Sequence, residues 1–297
     1  MRLSLAHDDF DGIVSCALAG CPRPRRPADY PDLPRLLEGY RGELYATEVN
    51  DLGLYQRLPR VHFYDHHDSV HRVLGVEPGV PVEAVWDGEK WSLLRAGRAT
   101  AASMVSGLRQ LGYSVPDDLA RAGDLLDNFA LAETERDWRI VAGYLLSVRD
   151  AAWKRRILDA ASPEEAVEAA RAAIAVFEAR GREVPWGRVE ELKREAVGRQ
   201  VVEGAPVVVV AEAEEGLGRL AMLQLERRYP YVALLRIRAD GTVRGTIVSL
   251  TRRDAHLAAR RLGGGGRPLW PSGSIGGFHA PSLEEALEGL RRALHGG

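Results

Sequence analysis

The run His7-Asp8-Asp9-Phe10-Asp11-Gly12 sets one imidazole and three carboxylates within five residues. A second run, Asp65-His66-His67-Asp68, adds two imidazoles, and Asp51 follows Asn50 between them. Carboxylates this dense do not all stay ionised side by side unless cations offset them. A mixed imidazole and carboxylate set suits Mn²⁺, Fe²⁺, Co²⁺ or Zn²⁺, whereas an all-oxygen set favours Mg²⁺ or Ca²⁺. Taken singly, each run also reads as a turn with a capping aspartate or as a solvated loop. Their joint placement is what points to a metal centre. His62, inside an alternating strand pattern, and His71, beyond the second run, read as structural.

The elements around these runs bring them together. Leu3 and Leu5 alternate up to His7, and Gly12–Leu18 reads as a helix start, so the first run lies where a strand gives way to a helix. Further strands are expected over Glu43–Val49 and Arg60–Tyr64, with a short crossover over Leu52–Leu58. In open parallel sheets, ligands bind beyond the carboxyl ends of strands. Three neighbouring strand ends would therefore face one crevice. Apolar residues at helical spacing in Thr100–Leu111, Leu119–Phe129 and Ile140–Leu158 complete a strand–helix alternation, the pattern of a parallel α/β sheet.

From Ser162 to Gln200 the chain is almost wholly helical in pattern, broken at Gly181–Pro185 and opened by Ser162-Pro163-Glu164-Glu165. Strands are expected over Pro206–Ala211, Val232–Ile237 and Thr242–Leu250, the last two joined by a hairpin at Asp240-Gly241. A helix over Asp254–Arg261 leads into Gly263–Gly266, and the last helix spans Ser282–Leu294. The expected organisation is an α/β domain over 1–180, a helical linker over 181–202, and a smaller α/β domain with a mixed sheet over 203–297.

Composition narrows the function. The chain has 297 residues, 40 Lys+Arg against 42 Asp+Glu and a net charge of −2, which excludes a polybasic nucleic-acid coat. No apolar run approaches the roughly 20 residues that span a bilayer, and the start MRLSLAHDDFDG does not read as a signal peptide, so no membrane partner is expected. Two cysteines make no disulfide framework, and free thiols suit a cytoplasmic location. The 37 arginines against 3 lysines, with six Asn and Gln in total, suit a thermophile, although a GC-rich genome gives the arginine bias by itself. Residues 201–297 carry 13 basic and 10 acidic side chains, the preceding 200 carry 27 and 32. Such a split fits one half holding cations and the other receiving an anion.

His7-x-Asp9-x-Asp11-Gly12-x-x-Ser15 together with Asp65-His66-His67 resembles the signature of the DHH phosphoesterase superfamily. That group includes RecJ-type exonucleases, nanoRNases (oligoribonucleases), cyclic-dinucleotide phosphodiesterases, family II pyrophosphatases and an exopolyphosphatase. Asp51 fits the second motif. The segment Leu119–Asp127 fits the helical fourth motif, with Asp124 as its ligand and Asp127, one turn on, as the alternative. The resemblance implies two divalent metal ions, Mn²⁺ foremost, with Mg²⁺ or Co²⁺ as substitutes. His7, Asp9 and Asp51 would hold one; Asp11, His66 and Asp124 would hold the other, with Asp51 bridging. Asp65 would orient His66 from behind, and His67 would face the substrate phosphate. Two cations roughly 3.5–4 Å apart neutralise both the attacking and leaving oxygens of an in-line displacement.

Thr246–Asp254, the following helix and the glycine run resemble the DHH-associated substrate-binding domain. Arg267 stands where the family usually has a histidine, residues are inserted around Leu269–Ser272, and Thr251 stands at the usual arginine with Arg252 next to it. A glycine run lets backbone N–H groups approach an anion, and arginines clamp phosphate through two donors. Gly264, Gly265, Gly266, Arg252, Arg253, Arg267 and His279 are therefore the expected substrate contacts. The resemblance implies a metal-dependent phosphodiesterase acting on short single-stranded oligonucleotides or on linear or cyclic dinucleotides, and leaves a homodimer open as its assembly. Two alternatives stand beside it: a phosphoanhydride hydrolase acting on pyrophosphate or polyphosphate, and a non-catalytic nucleotide-binding module.

Overall fold

A computed structural model describes residues 1–198, 207–211, 215–252, 254–269 and 273–295. The chain forms two compact units, Met1–Arg182 and Glu183–Gly297. In the first unit, β1 (Arg2–His7), β2 (Arg25–Ala28), β3 (Glu43–Thr47), β4 (Arg60–Asp65), β5 (Val82–Trp86) and β6 (Trp91–Ala96) lie in the order β2-β1-β3-β4-β5-β6. The four strands β2, β1, β3 and β4 are parallel, whereas β5 and β6 join as antiparallel strands. The sheet is thus mostly parallel rather than wholly so. A tight turn makes the antiparallel edge: the Asp87 carboxylate accepts from the Glu89 and Lys90 backbones, folding β6 back onto β5.

Leu5, Leu44, Ala46, Val61 and Phe63 are fully buried in one core cluster of the sheet. The helix Phe10–Leu18 is buried along its whole length and packs on β1 and β3. Beyond it, Phe10, Tyr144, Trp153 and Phe177 form an aromatic cluster, with Tyr144 and Trp153 each 5.4 Å from Phe177 between ring centres. The expected helix over Ile140–Leu158 is two helices, Glu135–Ser147 and Ala151–Leu158, because Asp150 caps the second by accepting from Ala152 N. Gly143 and Gly181 let the helix Pro163–Arg182 lie against Glu135–Ser147: a Cβ at these positions would fall 1.8 Å from the Phe177 carbonyl oxygen and 1.9 Å from that of Arg139.

The second unit has β7 (Val207–Ala211), β8 (Val232–Ile237), β9 (Val243–Ser249), β10 (Gly265–Leu269) and β11 (Gly273–Ala280) in the order β10-β11-β9-β8-β7. Only β7 and β8 pair in parallel, so the sheet is mixed. The helix Trp186–Gly198 packs on β7 and on the helix Glu215–Leu225. It belongs to this unit instead of standing between the two, and the break falls after Arg182. Among the described residues no helix is long and apolar enough to cross a membrane.

Candidate metal centre

At the end of β1 the chain stays extended through Asp9, then turns into the helix Phe10–Leu18. Asp9 caps that helix by accepting from Gly12 N at 2.9 Å. Gly12 fits because a Cβ there would fall 2.8 Å from three atoms of His7, so any side chain would push the helix off the strand end. His7 Nδ1 hydrogen-bonds the other Asp9 oxygen, and its Nε2 lies 3.8 Å from Asp29 Oδ1, at the end of β2. Burial lowers the His7 pKa, but Asp9 and Asp29 outweigh it and leave it raised. For Asp9, burial works upward, and the bond and charge of His7 bring the carboxyl below its usual range.

Asp11 points the other way, into the N-terminus of the helix Met104–Gln110. Its two oxygens accept from Met104 N at 2.6 Å and Val105 N at 2.8 Å. The positive end of a helix favours an anion there. Burial nevertheless raises the Asp11 pKa, and its carboxyl shares a hydrogen bond with Glu48.

His66 is the hub. Its Nδ1 lies 3.2 Å from the Ala101 carbonyl, which only accepts, so that nitrogen carries the proton and Nε2 presents a lone pair. Burial and the neighbouring His67 lower the His66 pKa, which favours this neutral ring. Nε2 lies 2.9 Å from Glu48 Oε1, 3.8 Å from Asp127 Oδ2 and 3.9 Å from Asp11 Oδ2. Both His66 Nε2 and Glu48 Oε1 are buried with no hydrogen-bond partner. Two sets of side chains could hold a metal ion, Glu48–His66–His67 and Asp11–His66–Asp127, each with its candidate ligand atoms within 4.8 Å of one another. Burial drives Glu48 and Asp127 well above the usual carboxylate range, and the charges of Asp11 and Asp9 push both further. Lone pairs that converge in a buried space repel unless a cation sits among them. This donor set fits a divalent metal.

Glu48 was hidden by the expected length of its strand. β3 ends at Thr47, and Glu48 turns the chain at φ 58°, the one positive φ outside glycine among the described residues. Backbone strain of this kind persists where a site needs it. By residue 51 the chain has entered the next helix: Asp51 caps Leu52–Tyr55 by accepting from Leu54 N at 2.9 Å. The space around His66 therefore receives Glu48 where the sequence pattern pointed to Asp51. It likewise receives Asp127, the alternative in the fourth motif. Asp124 instead accepts from Ser103 Oγ at 2.7 Å, and Ser103 caps the helix whose N–H groups hold Asp11.

Asp65 orients His67 instead of His66. Its Oδ1 accepts from His66 N, His67 N and His67 Nδ1, and its Oδ2 from Asn50 Nδ2. Burial works upward on Asp65, and the charge and bonds of His67 overcome it and hold the carboxyl at about 2. His71, expected to be structural, bonds the Val80 carbonyl within the fold.

In the second unit, Gly265 pairs with Gly277 and Gly266 with Gly276 across β10 and β11. A Cβ on Gly264 would fall 2.0 Å from the Gly277 carbonyl oxygen and one on Gly266 2.3 Å from that of Ile275, while Gly265 faces open space. Strand packing thus accounts for two of the three glycines. Arg252 is exposed, with its guanidinium 5.7 Å from the Tyr231 ring centre, and His279 is exposed on β11. Arg253 and the side chain of Arg267 lie outside the described residues.

No family model and no curated protein matches the sequence. Solved structures do match the fold. One is RecJ from Thermus thermophilus in complex with Mn²⁺, at 16% identity and a TM-score of 0.54, covering 99% of this chain and 51% of RecJ. Another is PggH from Vibrio cholerae, a pGpG-specific phosphodiesterase, at 14% identity and a TM-score of 0.52, covering 100% of this chain and 98% of PggH. The chain spans about half the length of that RecJ structure. These likenesses show that the chain has the fold of those two structures, here a mostly parallel α/β unit and a smaller α/β unit with a mixed sheet.

Proposed function

We propose that this protein is a divalent-metal-dependent phosphodiesterase that hydrolyses short oligonucleotides or linear or cyclic dinucleotides. One observation carries the reading: His66 Nε2 and Glu48 Oε1 meet at 2.9 Å, buried and without hydrogen-bond partners, beside Asp11 and Asp127. Asp11, Glu48, His66 and Asp127 would hold one cation, and His7 and Asp9, with Glu48 shared, a second. The imidazole content favours Mn²⁺ over Mg²⁺. Bound there, the metal supplies Lewis acidity that offsets charge growing on the phosphoryl oxygens.

The remaining residues do the positioning. Asp65 accepts from His67 Nδ1, and in the protonated ring that this carboxylate supports the other ring nitrogen would donate toward a phosphate oxygen. Arg252 and His279, exposed in the second unit, are assigned to phosphate contact. A short substrate is supported by the likeness to PggH, a pGpG-specific phosphodiesterase. The balanced charge of the chain, 40 Lys+Arg against 42 Asp+Glu, also supports a short substrate, since a long polyanion draws on an excess of cations.

The test is a substrate panel with Mn²⁺: pGpG, cyclic dinucleotides, RNA and DNA from two to thirty nucleotides, pyrophosphate and polyphosphate. The expected result is mononucleotide release that falls beyond roughly five nucleotides, with only a modest loss of affinity from about 50 to 200 mM salt. Equal turnover of long strands with a steep salt slope would favour an exonuclease. Phosphate released from pyrophosphate alone would favour the phosphoanhydride alternative, and binding of nucleotides without turnover the non-catalytic one.

A further inference from the structure

We infer that Lys154 is a positioning residue for the metal centre, acting through Asp8; the inference rests on the metal-centre reading above. In His7-Asp8-Asp9-Phe10-Asp11 the odd-numbered side chains carry the candidate ligands. The even-numbered residues are held by the helices Glu135–Ser147, Ala151–Leu158 and Pro163–Arg182. Phe10 N donates to Tyr144 Oη at 3.3 Å and its ring joins Trp153 and Phe177. Lys154 Nζ donates to Asp8 Oδ1 at 2.7 Å and to the Asp8 carbonyl at 3.3 Å.

Lys154 is well placed to act as a clamp. It is buried, with its side chain 8% exposed, and stands next to Trp153, whose indole N–H donates to the Ser147 carbonyl at 2.9 Å. The helix Ala151–Leu158 is therefore fixed to the aromatic cluster at one residue and to the ligand-bearing turn at the next. An ammonium can bond a side-chain and a main-chain oxygen of one residue together, and gripping both sets the backbone of Asp8. That backbone sets the directions of His7 and Asp9 on either side of it. Lysine is also the rare choice here: the chain has 3 lysines against 37 arginines. The wider planar guanidinium does not substitute for a compact ammonium in a closed site.

The test measures Mn²⁺ binding by electron paramagnetic resonance titration on the full chain, with the melting temperature as a control on folding. Lys154→Met should weaken the weaker-held Mn²⁺ by roughly ten- to hundredfold, the usual cost of losing a partner behind a metal ligand. Lys154→Arg should fail to restore it. Asp8→Ala should show a similar loss, and the double variant should lose no more than either single one, since both break one clamp. Asp8→Asn keeps an acceptor oxygen and should retain most of the affinity. Unchanged Mn²⁺ affinity in Lys154→Met, with only a lower melting temperature, would reduce the residue to scaffold and overturn the inference alone. Absence of Mn²⁺ binding by the unaltered protein would overturn the metal centre and the inference with it.

Discussion

The space around His66 and the glycine-rich strands of the second unit differ in what accounts for their polar and special residues. Around His66, Glu48 and His66 itself are buried with polar atoms that no protein group satisfies. On β10 and β11, Gly264 and Gly266 are explained by the close approach of neighbouring backbones, and Arg252 and His279 are exposed side chains with water available. A residue with a packing reason needs no ligand to explain it. A buried lone pair without a partner does, because leaving it unmet costs about 1–3 kcal/mol.

If that contrast is right, Glu48→Gln should have the largest effect. The amide keeps the shape but puts a neutral group beside His66, and turnover with Mn²⁺ should fall by several orders of magnitude. Asp51→Ala should leave turnover within a few-fold and cost about 1 kcal/mol of stability, the worth of a helix cap. Steady-state rates and denaturant midpoints of the two variants would separate them, and the reverse order would restore Asp51 to the centre. A comparable but smaller separation is expected between Asp127→Asn and Asp124→Asn. The first should weaken Mn²⁺ binding by roughly ten- to hundredfold, the second only a few-fold, because Asp124 acts through Ser103.

The second unit offers milder effects. Arg252→Ala should raise KM several-fold at constant kcat, since a phosphate contact made equally in ground and transition states affects binding alone. Gly265→Ala should be nearly silent, whereas Gly264→Ala should lower the melting temperature, its new Cβ falling 2.0 Å from a carbonyl oxygen. An intact Gly264→Ala variant with a raised KM would return the glycine run to ligand binding.

Glu226, a buried acid in the second unit, tests whether burial alone makes a centre. Burial pushes its carboxyl up to about 8, against the opposing charges of Arg219 and Arg227. The folded protein therefore keeps a proton that the unfolded chain releases near pH 4.5. Stability should fall as pH rises from there to about 8 and level off above. Glu226→Gln should remove that slope and add a few kcal/mol at pH 8, at about 1.4 kcal/mol per pKa unit, without changing turnover. Melting curves across pH 5–9 would show it; a loss of activity would make this acid functional too.

Much of this arrangement was legible in the residues. Alternation located β1, β3 and β4, and the spacing of His7, Asp9, Asp11 and His66 marked the strand ends that meet. β2 was not legible, since Arg25-Arg26-Pro27-Ala28 lacks a strand pattern and proline is tolerated there only because β2 lies at the edge. Asp29, which follows it and approaches His7, was lost with it. Glu48 was missed by one strand boundary: a strand expected to Val49 buries the acid within its run, whereas the chain turns just after Thr47. Asp124 and Asp127 lie one helical turn apart, and periodicity cannot rank them. The difference in their surroundings comes from Ser103, which bonds Asp124 and is distant in sequence.

In the proposed centre a cation sits among His66, Glu48, Asp11 and Asp127. Crystals soaked in Mn²⁺ and measured at the manganese absorption edge test it directly. An anomalous peak is expected within coordination distance of His66 Nε2 and Glu48, with a second beside His7 and Asp9. Peaks confined to Asp51 and Asp124, or a centre without manganese in crystals that bind it elsewhere, would contradict it.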